Sequence, residues 1–165
     1  MNPGVYAVVL IPLVSAPLLA LIPSYRVTAA GNVIACFATF LAGLSLLVLP
    51  RVVGDFVIVD DLNIFFIILN TFVGFTTSTF SASYIGHEIE TGKLTPLFVR
   101  FYHAMYQGMM GAMNLALIAN NIGLLWVGLE LATLITVVSV ASSIATHIKP
   151  ILLAIRARFI ANIST

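Results

Sequence analysis

Charge is what this chain has least of: Asp, Glu, Lys and Arg together make 8% of its 165 residues, against about 25% in soluble domains. So few charges cannot build a solvated surface, and with 61% apolar residues and a mean hydropathy of +1.12 the chain reads as an integral membrane protein. A formal net charge of +1 leaves no excess of either sign to recruit nucleic acid or an acidic partner. Cysteine is nearly missing too. Cys36 stands alone in an apolar segment, which excludes an intrachain disulfide and a cysteine metal site. No Lys or Arg precedes the first apolar run, so the run is taken as a retained span rather than a cleaved secretory leader. The sequence also lacks a nucleophile-and-base arrangement, a Gly-rich phosphate loop and a metal-ligand cluster. No catalytic residue, cofactor-binding residue or metal ligand is therefore assigned; the chain is expected to bind no cofactor and to be non-catalytic on its own.

What remains is helix. Five apolar segments approach the roughly 20 residues that a membrane-spanning helix needs: Tyr6 to Ile22, Val27 to Leu49, Leu62 to Tyr84, Val99 to Asn120 and Ile122 to Thr146. The fold class is accordingly an all-α membrane protein with five transmembrane helices in residues 1–146, followed by a short basic and apolar tail, 147–165. Pro23-Ser24, Pro50-Arg51, Thr91-Gly92-Lys93 with Pro96, and Asn120-Asn121 mark the breaks, the first and third fitting tight connections. Val53 to Asp61 reads as an extended, partly polar excursion with strand-like alternation. Pro12 and Pro17 lie inside the first span, where membrane helices tolerate proline. Pro150 is expected to separate the tail from the fifth helix. With Arg156 and Arg158 among Ile151, Leu152, Leu153, Ile155, Phe159 and Ile160, the tail suits the membrane surface. Cytoplasmic loops are enriched in Lys and Arg. An external amino terminus puts Arg26, Lys93, Arg100, Lys149, Arg156 and Arg158 inside and Arg51 alone outside, so the carboxyl terminus is expected in the cytoplasm.

Glu130 is the singular residue, a carboxylate within the apolar run of the fifth span. An ionisable side chain at that depth is expensive and by default lines an ion path or pairs inside a bundle. It shares a helix face with Trp126, Thr133 and Leu134. Two readings stand: a proton-path carboxylate, and a neutral, hydrogen-bonded acid that only holds helices together. His103, with Tyr102 and Tyr106 beside it, is a weaker proton-path candidate; near a helix end it reads first as an interfacial residue, too far from Glu130 for a direct bond. Gly74, Ser78 and Ala82 in the third span, and Gly128, Ala132 and Thr136 in the fifth, recur every four residues. Such stripes let helices pack closely, and they are expected to meet other membrane subunits. Met105, Met109, Met110 and Met113 read as packing rather than a copper site. His87, Glu88 and Glu90 read as a solvated turn.

Three stretches carry a family resemblance: Ser83-Tyr84-Ile85-Gly86-His87-Glu88, then Gly92-Lys93-Leu94-Thr95-Pro96, and above all Asn120-Asn121-Ile122-Gly123-Leu124-Leu125-Trp126-Val127-Gly128-Leu129-Glu130-Leu131-Ala132-Thr133-Leu134. They resemble the antiporter-like proton-pumping subunits of respiratory complex I, Mrp-type sodium/proton antiporters and energy-converting membrane hydrogenases. The closest group is component F of hydrogenase-4-type complexes. The similarity runs from about Asp60 to Val140. It implies that Glu130 matches the family's functional glutamate, which modulates the charge of a lysine further along the chain. Family members continue through many more helices, one of them carrying that lysine, whereas this sequence ends after its fifth span and tail. The resemblance therefore implies a membrane subunit of a redox-linked, ion-translocating complex, truncated after the fifth helix, in an energy-transducing membrane such as the bacterial inner membrane. Its partners would be other membrane subunits and lipid, with no nucleic acid. Two alternatives stay open: a purely structural accessory or assembly subunit, and a small self-assembling ion channel or transporter.

Overall fold

The computed structural model describes residues 3–90 and 96–163, and they form five helices and one short hairpin. Helix α1 (Pro3–Leu21) and helix α2 (Tyr25–Ser45) are joined by three residues, Ile22 to Ser24. Strands β1 (Val52–Val53) and β2 (Ile58–Val59) pair antiparallel, Val52 opposite Val59 and Val53 opposite Ile58, where the sequence suggests an extended excursion. Helix α3 (Asp61–Glu90), helix α4 (Pro96–Ile118) and helix α5 (Ile122–Ile163) complete the chain. Residues 91–95, which carry the expected tight turn at Thr91-Gly92-Lys93, lie outside the described residues.

Local chemistry explains the boundaries. Asp60 caps α3, its Oδ1 accepting the backbone N–H of Asn63 at 2.9 Å. Asn121 does the same for α5 through the N–H of Gly123 at 2.8 Å. The hairpin folds over the α4–α5 corner, where Asn120 donates its backbone N–H to the Phe56 carbonyl at 2.9 Å and its side-chain amide to the Gly54 carbonyl at 2.6 Å. At the hairpin base Arg51 bridges Asp61 at 2.6 Å on the surface.

Four helices, α1, α2, α3 and α5, are long and apolar enough to cross a membrane by length and composition. The fourth expected span, α4, falls short of that criterion, and its position gives the reason. It packs against α1, α2, α3 and α5 alike, so its polar residues face protein instead of lipid. Arg100, His103, Gln107 and Asn114 stand at i, i+3, i+7 and i+14, within about 60° of one another on a helix advancing about 100° per residue. They form a polar stripe inside the bundle. The apolar core lies toward the hairpin, where Val5, Val8 and Val9 of α1 meet Leu46, Val59, Ile64, Ile67 and Ile118.

Proline ends neither helix that contains it in its interior. Helix α1 runs unbroken through Pro12 and Pro17. Helix α5 continues through Pro150 to Ile163, so the expected separation of the tail at that proline is not a break in the helix. A proline removes one N–H and bends a helix without having to end it. At 1.5 Å per residue a 42-residue helix is about 63 Å long, roughly twice the hydrocarbon thickness of a bilayer.

Candidate functional site

Helix α5 touches the rest of the bundle along one narrow line. A Cβ placed on Gly128 would come within 2.9 Å of the Ala116 nitrogen and 3.1 Å of the Ala112 carbonyl oxygen, so α5 meets the α4 backbone directly at this glycine. Ala132 is half-buried on the same side, and one turn further Thr136 donates to Ala132 at 2.8 Å and approaches Met109 Sδ at 3.7 Å. The other side of α5, from Ile122 to Ser142, is open among the described residues. Trp126, Leu129, Thr133 and Leu134 are exposed, and between α3 and α5 an apolar groove of about 370 Å³ is lined by Phe66, Leu69, Val73, Met113, Ala116 and Leu129.

Glu130 lies on that open side. Its side chain is exposed, and among the described residues it has no hydrogen bond or ion pair. Gly128 meets Ala112 and Ala116 while Ile135 meets Gly108, so Glu130 sits level with about Ala112, in the C-terminal third of α4. The carboxylate thus sits about 12 Å along α5 from Ile122, with its face turned away from the described bundle.

His103 is placed quite differently from the interfacial position read from sequence. It is fully buried, at 0% exposure, because α4 is the central helix and the stripe that carries His103 faces the other helices. Tyr102 packs edge-on to its ring at 5.4 Å, and Tyr106 donates to the Gly74 carbonyl at 2.8 Å. His103 and Glu130 are not brought together. From His103 to Ala112 is nine residues of α4, about 14 Å of helix.

The glycines of the small-residue stripes make contacts within the chain. Gly74 lies under Met110 of α4, where an added Cβ would meet Met110 at 2.5 Å; Ser78 is buried, and Ala82 is half-buried. Gly128 and Ala132 likewise face α4. Gly74 and Gly128 are therefore close-contact points against α4. Polar residues that sequence reasoning passed over cluster beside that helix. Gln107 Nε2 donates to the Asn32 carbonyl at 3.1 Å, to Asn32 Oδ1 at 2.9 Å and to Cys36 Sγ at 3.1 Å, tying α4 to α2. Asn114 ties α4 to α3 by accepting from Asn70 at 2.9 Å and to α1 by donating to Val8 at 2.7 Å. The sequence signal was available in the i, i+3, i+7, i+14 spacing of polar residues in an otherwise apolar segment.

No group of three or more His, Cys, Asp or Glu side chains suited to a metal ion occurs among the described residues. No protein-family model matches the chain. It is similar to the hydrogenase-4 component F homolog of Methylacidiphilum infernorum (isolate V4), 51% identical over 134 residues that make 81% of this chain. The match covers 28% of that protein, so this chain spans about a quarter of its relative's length. At that identity over most of its length, the chain is a relative of hydrogenase-4 component F across the part of that protein it matches.

Proposed function

We propose that the chain is a membrane subunit of a redox-linked, ion-translocating complex of the hydrogenase-4 or complex I kind, in which Glu130 lies on the proton path. The observation that carries this reading is the exposure of Glu130 on α5, eight residues and about 12 Å past Ile122, on a side of the helix that meets nothing among the described residues. A carboxylate facing hydrocarbon is costly, so the open side of α5 calls for a covering of protein or a water-filled cavity. A covering helix that brings a cation to Glu130 holds the carboxylate charged, and movement or loss of that cation's charge changes its affinity for a proton. That is the chemistry a relay step requires. The name of the relative, a hydrogenase-4 component, supports other membrane subunits of such a complex as the covering partners.

His103 is the secondary candidate, held in the bundle interior and able to act only through intervening water. The membrane is taken to be a bacterial inner membrane, with the amino terminus outside and the Arg156–Arg158 end of α5 at the cytoplasmic surface. The chain itself binds no cofactor and performs no redox chemistry in this reading.

Purification of the tagged chain from its native membrane in mild detergent tests the assignment. Retention of subunits carrying iron–sulfur or nickel centres is the expected result. A stable assembly made of this chain alone contradicts it and leaves the self-assembling channel.

A further inference from the structure

Five buried side-chain nitrogen and oxygen atoms have no hydrogen-bond partner among the described residues: Asn32 Nδ2, Arg100 Nε, His103 Nδ1, His103 Nε2 and Gln107 Oε1. They are not scattered. Four belong to the polar stripe of α4, over two turns from Arg100 to Gln107, and the fifth belongs to Asn32, the residue to which Gln107 is bonded. His103, Gln107 and Asn32 are 0%, 0% and 1% exposed, so neither lipid nor a neighbouring subunit reaches them. Their missing partners must be inside.

We propose that α2 and α4 enclose an ordered-water site built by Arg100, His103, Gln107 and Asn32. The donor and acceptor types select water over other small ligands. Gln107 is oriented by donating Nε2 to two oxygens of Asn32, which leaves its Oε1 as a free acceptor. The Asn32 side chain accepts through Oδ1 and so leaves Nδ2 as a free donor. Arg100 Nε is a donor, and a neutral His103 ring offers one donor and one acceptor. A metal cation needs acceptors only and is repelled by the guanidinium, while an anion needs donors only. Water supplies both roles at once, and buried waters in proteins bond to polar groups otherwise left unsatisfied. The site reaches the α1–α2 connection, where Arg100 Nη1 approaches the Ile22 carbonyl at 3.4 Å. Buried hydroxyls elsewhere in the bundle need no such ligand: Thr39 and Thr71 bond the carbonyls of Ala35 and Ile67 in their own helices. The hydrated segment is separate from the open face of α5 and stands whether or not Glu130 carries protons.

Radiolytic hydroxyl-radical footprinting, read by mass spectrometry on the full chain in its native membranes, detects side chains next to bound internal water. His103 is the reporter, and Met113, on the outer face of α4 in a groove lined by apolar side chains and Asn70, is the control with a reactive sulfur. The expected result is oxidation of His103 several-fold faster than Met113, falling several-fold in a Gln107→Leu variant that retains its helix content. Oxidation of His103 no faster than Met113 overturns the site, as does an unchanged His103 rate in the folded variant. Should Gln107→Leu fail to accumulate, the His103 and Met113 rates in the unaltered chain decide alone.

Discussion

The side-chain amide of Asn114 on α4 donates at 2.7 Å to the carbonyl of Val8 on α1, the acceptor that Pro12, four residues on and without an N–H, leaves unpaired. One helix thus repairs the defect that proline makes in another. Close to this bond Gly111 lets α4 approach Leu13, where an added Cβ would meet the Leu13 side chain at 2.6 Å. A proline that reads from sequence as a tolerated irregularity is therefore part of the α1–α4 contact.

Asn114→Leu is expected to lower thermal stability in mild detergent, because it leaves the Val8 carbonyl and the Asn70 amide unpaired, at about 1–3 kcal/mol for each such group. Adding Pro12→Ala restores an N–H to Val8 within α1. The double variant should be more stable than Asn114→Leu alone. Equal or lower stability in the double variant would disprove the repair.

Two glycine substitutions should part company. Gly128→Ala puts a Cβ against the Ala116 backbone at 2.9 Å and should destabilise the α4–α5 contact by about 1–3 kcal/mol. Gly86→Ala meets nothing within 4 Å in α3, and should stabilise by up to about 1 kcal/mol through helix propensity. Melting curves of the two variants side by side check the pair, and a harmless Gly128→Ala would show that the close crossing is not required.

Much of this architecture was legible in the amino-acid order, and the failures have a common cause. The long apolar runs of α1, α2, α3 and α5 gave those helices away, and the alternation after Val53 marked an extended excursion without revealing that it pairs as a hairpin. Helix α4 was read as one more apolar span, because periodicity within a segment does not say that the segment lies at the centre of a bundle. Its centrality explains the burial of His103, the inward use of Gly74 and Gly128, and the bonds of Gln107 and Asn114, all of which depend on neighbours distant in sequence. Glu130 was legible as a singular carboxylate, and so was its separation from the Gly128 stripe on the helix wheel. What it faces was not, since its side of α5 meets nothing among the described residues.

The distribution of Lys and Arg predicts an orientation with the segment around Lys93 in the cytoplasm. A Lys93→Cys variant, made with Cys36 replaced by Ser, should react with a membrane-impermeant maleimide only in inverted vesicles. Reaction in intact spheroplasts alone would reverse the topology.

The central claim is that Glu130 titrates in a proton path completed by neighbouring subunits. Glu130→Gln keeps most of the side-chain volume and its hydrogen bonding while removing the titration. In the assembled complex, proton movement driven by electron transfer is measured in vesicles with a pH-sensitive dye, beside the electron-transfer rate itself. The expected result is a complex with its full set of subunits and proton movement per electron reduced at least several-fold. Unchanged proton movement per electron in the assembled Glu130→Gln complex would contradict the account and leave the carboxylate a structural residue.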